Sequence, residues 1–247
     1  MLEYLERLSN SESLAEVWAL HCKAMNTYGF DRLIYGFTRF RTKNSIGPID
    51  DTVLLSNHDP DYFGPFISQE MYKTAPMTRW AAENTGACSW SWLARDGKSL
   101  TPEELKVIAF NHSKQVFAGY TISFGGPASR ARGAIALTAK TGLSQDRVDA
   151  IWQEHGRTIE TMNNMAHLKI ISLPNIGLRK NLSERQREVL EWVGDGKTTQ
   201  DIATILGLTT ATVEKHLRLA RERLDVDTTA QAVLKASLQN QMYILKQ

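Results

Sequence analysis

Residues 198–224, TTQDIATILGLTTATVEKHLRLARERL, hold two helical periods separated only by Gly207-Leu208-Thr209, and that spacing restricts this part of the chain more than any other feature. Thr198 followed three residues later by Asp201 reads as a capping box, opening a short helix that stops before Gly207. Thr209 then opens a longer helix that runs to about Leu224. On this second helix Val213, Leu217, Ala220 and Leu224 recur at intervals of four, three and four, which assigns them to one buried face. Glu214, Lys215, Arg218 and Arg221 are therefore on the solvent face. Two helices joined by a tight glycine-containing turn form the helix-turn-helix layout, whose second helix enters the major groove of DNA.

The flanks extend this pair into a helical module. Ser183 with Gln186 is a further capping box, opening a helix that ends near Gly194, and residues 229–245 supply a fourth helix. Arg or Lys can read guanine O6 and N7, and Glu can accept from cytosine N4, so Thr212, Glu214, Lys215 and Arg218 near the start of the long helix are the candidate base-reading residues. Lys197, Thr199 and Arg221 stand where phosphate contacts are expected. An ordinary solvated face would explain the charges alone. The paired caps and the tight turn favour the DNA reading.

The remainder of the chain has a different character. Net charge is only +2, so a nucleic-acid role has to come from a local surface. From residue 178 onward there are 11 basic and 9 acidic side chains, leaving 18 of each before it, so the whole excess is C-terminal. ISLPNIGLRKNL, 171–182, has proline, glycine and a basic pair without sustained periodicity. It marks a boundary between a domain at 1–171, a linker at 172–181 and a domain at 182–247. In the first domain helical patterns at about 2–9, 11–29, 60–85 and 102–117 alternate with strand-like LIYGFTRF (33–40), GYTISF (119–124) and GAIALTA (133–139), with a turn at Gly125-Gly126-Pro127. The expected fold is α+β: an α-β-α sandwich joined to an all-α four-helix module. From Ser144 a long helix runs to about Ile170, with Val148, Trp152, His155, Ile159, Met162 and Ala166 as a seam that covers the sheet, forms a subunit interface, or both. The two cysteines, Cys22 and Cys88, lack metal-ligand spacing, and no stretch resembles a signal peptide or a membrane span, which points to the cytoplasm.

LSERQREVLEWVGDGKTTQDIATILGLTTATVEKHLRLARERLDVDTTAQAVLKA, from Leu182 to Ala236, resembles the DNA-binding domain of LuxR-type transcription factors, with Gln186 where the family usually has glutamate. HDPDYFGPFISQEMYKTAPMTRWAAENTGACSWSW, from His58 to Trp92, is similar to the autoinducer-binding domain of the quorum-sensing branch, with Pro76, Trp90 and Gly119 in place. The resemblance implies a sandwich that holds an acyl-homoserine lactone. In that frame the aspartate that accepts the ligand amide N–H falls at Ala75, and the tryptophan that donates to the lactone carbonyl falls at Tyr62. Neighbouring aromatics fall at Phe66 and His58, and a serine or threonine near the acyl carbonyl falls at Ala136. His58, Tyr62, Phe66, Ala75, Trp90 and Ala136 are the candidate ligand residues. An amide N–H buried without an acceptor costs about 1–3 kcal/mol, so ordinary acyl-homoserine lactones are expected to bind poorly. Three readings stay open: a different ligand, with Trp92 as a further wall; an acyl-homoserine lactone held by Tyr62 and His58; or a domain that folds and dimerises without ligand.

Other signals are weaker. GDGKTT at 194–199 lacks the first glycine of a phosphate loop, since position 191 is Glu191. The histidines show no metal spacing, and no Ser occupies a nucleophile elbow, which leaves a signal-degrading enzyme as a remote alternative. Asp50-Asp51 follows a loop-like stretch and does not suit a phospho-receiver. The reading is a cytoplasmic homodimeric transcriptional regulator, with no cofactor or metal, no enzymatic activity and no membrane association, whose partners are a palindromic DNA operator and a small-molecule signal.

Overall fold

The computed structural model describes residues 1–41, 47–95, 99–125, 128, 130–174 and 181–243. The chain forms two compact units, Met1–Gly47 with Val53–Ile170 and Pro48–Thr52 with Ile171–Gln247. Most of the linker expected at 172–181, and two residues of the turn at 125–127, lie outside the described residues.

The first unit is a layered sandwich. Helices α1 (Leu2–Asn10) and α2 (Leu14–Thr27) lead into strand β1 (Phe30–Thr38), and β2 (Val53–Ser56) returns beside it. Helices α3 (Pro60–Ser68), α4 (Met71–Thr74) and α5 (Pro76–Glu83) precede β3 (Gly86–Ser89). Then follow α6 (Trp92–Arg95), α7 (Pro102–Ser113), β4 (Gly119–Phe124), β5 (Arg132–Ala139) and the long α8 (Gln145–Ser172). The sheet is antiparallel with order β2-β1-β5-β4-β3. The single helical pattern anticipated at 60–85 is three helices. Glu70 takes the left-handed conformation (φ 54°) ahead of α4, and Pro76 starts α5 because a residue before proline avoids the helical region, so Ala75 is extended. Strands β2 and β3, four residues each, were not anticipated.

Alternation in the strands gives the sheet two unlike faces. On one, Leu33, Tyr35, Phe37, Tyr120, Ile122, Phe124, Ile135 and Leu137 are all buried. Helix α8 covers this face: His167 stacks on Phe124 (4.2 Å between ring centres) and bonds through Nδ1 to the Tyr35 hydroxyl (2.8 Å). Of the expected seam, Val148, Ile159, Met162 and Ala166 are buried, whereas Trp152 and His155 are only half-buried. Trp152 lies flat on Tyr120 at 3.9 Å, and His155 sits against Tyr28. Asn163 and His167 complete the buried stripe as polar members, and each has a partner: His21 Nε2 meets Asn163 Oδ1 at 3.0 Å while Tyr4 bonds His21 Nδ1 at 2.8 Å.

The second unit holds α9 (Glu184–Gly194), α10 (Thr199–Leu206), α11 (Thr210–Leu224) and α12 (Thr229–Leu238). Three of them begin with complete capping boxes, Ser183–Gln186, Thr198–Asp201 and Thr228–Gln231, each satisfying otherwise unpaired N–H groups. Gly207 ends α10 in the left-handed conformation (φ 64°). The fourth helix is shorter than the expected 229–245. It stops at Leu238, and Asn240 follows in a left-handed conformation, its Nδ2 donating to the carbonyls of Ile171 and Leu173. Asp51 is buried here in an ion pair with Lys235 (2.8 Å).

Candidate ligand cavity and nucleic-acid interface

The second face of the sheet carries small and hydroxylated residues. Cross-strand register sets Ser56, Ile34, Ala136, Thr121 and Cys88 in one row, and Leu54, Gly36, Ala134, Ser123 and Gly86 in the next. Ile34, Gly36, Ala134 and Ala136 belong to the central strands β1 and β5, yet they remain only half-buried, while their neighbours on the opposite face are fully buried. The middle of this face, Ile34 with methyl groups and glycine, is therefore less covered than the opposite one, which suits it to a small ligand.

The surrounding walls contain most of the residues singled out from sequence. His58, Tyr62 and Phe66 form one stack, with ring centres 4.5 Å apart for His58–Tyr62 and 5.6 Å for Tyr62–Phe66. Phe110 of α7 joins Tyr62 at 5.4 Å. The His58 Nε2 reaches Thr138 Oγ1 on β5 (3.4 Å), which ties the stack to the floor. Burial holds the His58 imidazole down at about 3, with the Arg32 guanidinium adding to the effect, so it is neutral at physiological pH. Burial also raises the Tyr62 phenol, whose hydroxyl donates to Asn111 Oδ1 (3.0 Å). On the other side Trp90 donates its indole N–H to Thr121 Oγ1 (2.9 Å), and Thr121 is the cross-strand partner of Ala136. Gly119 makes this possible: a Cβ there would lie 2.2 Å from the Leu137 carbonyl oxygen and 3.0 Å from the Trp90 ring. Ala75, buried at the joint of α4 and α5, offers only a methyl group. Trp92 packs under the Arg79 guanidinium at 5.4 Å.

Sequence reasoning missed Thr121, Ser123, Thr138, Phe110 and Asn111. The alternating hydroxyls of GYTISF and GAIALTA were the available signal for the first three. Asn111 becomes relevant only once α7 packs beside α3.

In the second unit all four residues assigned to the buried face of α11, Val213, Leu217, Ala220 and Leu224, are within a core shared with Leu190, Ile202, Ala232 and Ala236. Glu214, Lys215 and Arg218 are exposed and Thr212 is half-buried, its hydroxyl within 2.9 Å of that of Thr209. Thr199, at the first turn of α10, donates to Glu214 Oε1 across the helix pair (3.0 Å). Arg218 pairs with Glu222 one turn on. Lys197 is exposed in the turn before α10. Arg221 is the exception to a freely solvated charged face: it is half-buried and donates to Thr229 Oγ1 at the start of α12 (2.9 Å). Its guanidinium still has further N–H groups available at that end of the helix.

Comparison with known proteins bears on both units. The profile described as "Autoinducer binding domain" matches residues 13–170, and "Bacterial regulatory proteins, luxR family" matches residues 180–236. Transcriptional activator protein AhyR of Aeromonas hydrophila is 24% identical over 95% of this chain and 89% of its own length. Transcriptional activator protein EchR of Dickeya chrysanthemi is 26% identical over 74% of this chain and 76% of its own. Among solved structures Escherichia coli SdiA superposes with a TM-score of 0.55 at 16% identity, covering 98% of each chain.

Proposed function

The chain belongs to the LuxR family of regulators with an autoinducer-binding domain, and from that premise we propose how its two units divide the work. The second unit binds an operator, with Thr212, Glu214, Lys215 and Arg218 facing base edges and Lys197, Thr199 and Arg221 on phosphates. The observation that carries this is the split of α11 into a buried apolar face and an exposed face bearing Glu214, Lys215 and Arg218. The first unit senses an uncharged small molecule over the open middle of its sheet, within reach of His58, Tyr62, Phe66, Trp90, Ala136 and the Ala75 joint. Ligand acts by mass action on a homodimer that addresses two half-sites of an imperfect palindrome about one helical turn apart. The protein works in the cytoplasm as a regulator and not as an enzyme, in line with its relatives being named transcriptional activators. Among the described residues no helix is long and apolar enough to cross a membrane.

The test is fluorescence anisotropy of the full chain on operator-like palindromes and on random duplex, with thermal shift against a panel of acyl-homoserine lactones and aromatic compounds. Binding that ignores DNA sequence at every salt concentration would overturn the regulator reading. A second reading, a sensor that folds without ligand, has one observation in its favour: Tyr62 and Phe66 are already buried against each other. The absence of stabilisation by any compound would support it.

A further inference from the structure

Resting on the sensing role assigned to the open sheet face, we propose that this cavity selects an uncharged ligand that accepts a hydrogen bond from Thr121 and donates none, an acyl ester or ketone in preference to an amide. The hydrogen bonds around the floor are asymmetric. Thr121 Oγ1 accepts from the Trp90 indole, which leaves its own hydroxyl hydrogen for a ligand acceptor beside Ala136. Two neighbouring hydroxyls are directed to protein acceptors: Ser123 to the Ala81 carbonyl (2.7 Å) and Tyr62 to Asn111.

The carboxylates of the helical layer do not offer themselves to a ligand N–H. Glu104, the buried carboxylate of the helical layer, accepts from Arg79 on one oxygen (2.7 Å) and from the Thr101 N–H on the other (2.8 Å). Asp61, Glu70, Glu83 and Glu103 of the same helices are exposed to solvent. Cations are equally committed: Arg32 donates to the carbonyls of Gln115 and Ala139, and Arg132 to those of Ala81, Ala82 and Asn84. His58, facing Thr138 and Tyr62, is neutral. A ligand ammonium would therefore lose its hydration without gaining a carboxylate, a ligand carboxylate would have to displace backbone carbonyls from Arg32 or Arg132, and an amide N–H would meet no carboxylate acceptor.

A matched set of probes tests this on the full chain: α-acyloxy-γ-butyrolactones, the N-acyl homoserine lactones that differ only by N–H for O, and the free fatty acids, each from butanoyl to dodecanoyl. By calorimetry the ester of the best chain length should bind at least about tenfold tighter than its amide. The fatty acid should bind more weakly than either. Thr121→Val should weaken the ester and the amide alike, by about tenfold, and leave their ratio unchanged, while Thr121→Ser, which keeps the hydroxyl and the Trp90 acceptor, should restore wild-type binding. Amide binding equal to or tighter than the ester would overturn the proposal while leaving the cavity as a ligand site. Preference for the fatty acid would overturn its neutrality. Failure of every probe at every length would overturn the sensing role itself.

Discussion

At the scale of single residues, the two units make separable demands. Arg218→Ala should cost about 1–3 kcal/mol at one base position of the operator, whereas Lys197→Ala should weaken all duplexes alike and reduce the salt slope by about one. Equal losses on specific and random DNA for Arg218→Ala would remove it from the base-reading set. In the first unit Ala75→Asp places an acceptor at a buried joint that now has only a methyl group. Thermal shift should then show an increased response to acyl-homoserine lactones, of about tenfold in affinity, if the missing acceptor is what makes them poor ligands. Ala75 was placed through the resemblance to the autoinducer-binding family, in which Pro76 and Trp90 fix the register, and Lys197 and Arg218 through the helix pattern. Thr121, which touches Trp90, was not, because cross-strand partners are defined by pairing and not by sequence distance.

At the scale of elements, what could be read in advance follows from where the information resides. The helices α9 to α11 carry their own start and stop signals, so Ser183, Thr198, Thr209 and Gly207 mark their ends within the local sequence. Thr209→Ala should accordingly cost about 1 kcal/mol, read as a lower urea midpoint with unchanged slope. Strands β2 and β3 are the opposite case. VLLS and GACS are short edge segments with no alternation to notice, and they become strands only by pairing with β1 and β4. The expected long fourth helix is cut short by a feature its own periodicity does not carry: Asn240 is left-handed, and its side chain meets the distant carbonyls of Ile171 and Leu173. On α8, Met165 and Leu168 remain exposed beside the buried stripe. If the chain dimerises along α8, Met165→Glu with Leu168→Glu should yield a folded monomer by sedimentation. A dimer that persists places the contact elsewhere.

At the scale of the whole molecule, three buried histidines make stability depend on pH. Burial lowers His21 and His167 to about 4 and His58 to about 3, against 6.5 for an exposed imidazole. All three are neutral in the folded chain, so between about pH 4 and 6.5 the unfolded chain binds more protons. Stability is then fully present above about pH 6.5 and falls as pH drops through that window. A tenfold difference in proton affinity between the folded and unfolded chain is worth about 1.4 kcal/mol, so the combined loss by about pH 4.5 should reach several kcal/mol, measured by urea unfolding at a series of pH values. Stability that is flat or rises on acidification would contradict the buried neutral state of these rings. The hydrogen bond from Thr199 to Glu214 has a consequence for evolution. Under the proposed roles, with Thr199 on the phosphate backbone and Glu214 on a base, the two share a bond, so substitutions at the two positions will not combine additively. On that proposal a lineage adapting to a new promoter cannot retune its preference at Glu214 without also altering its grip, and the order in which such changes are acquired will determine which operators are reachable.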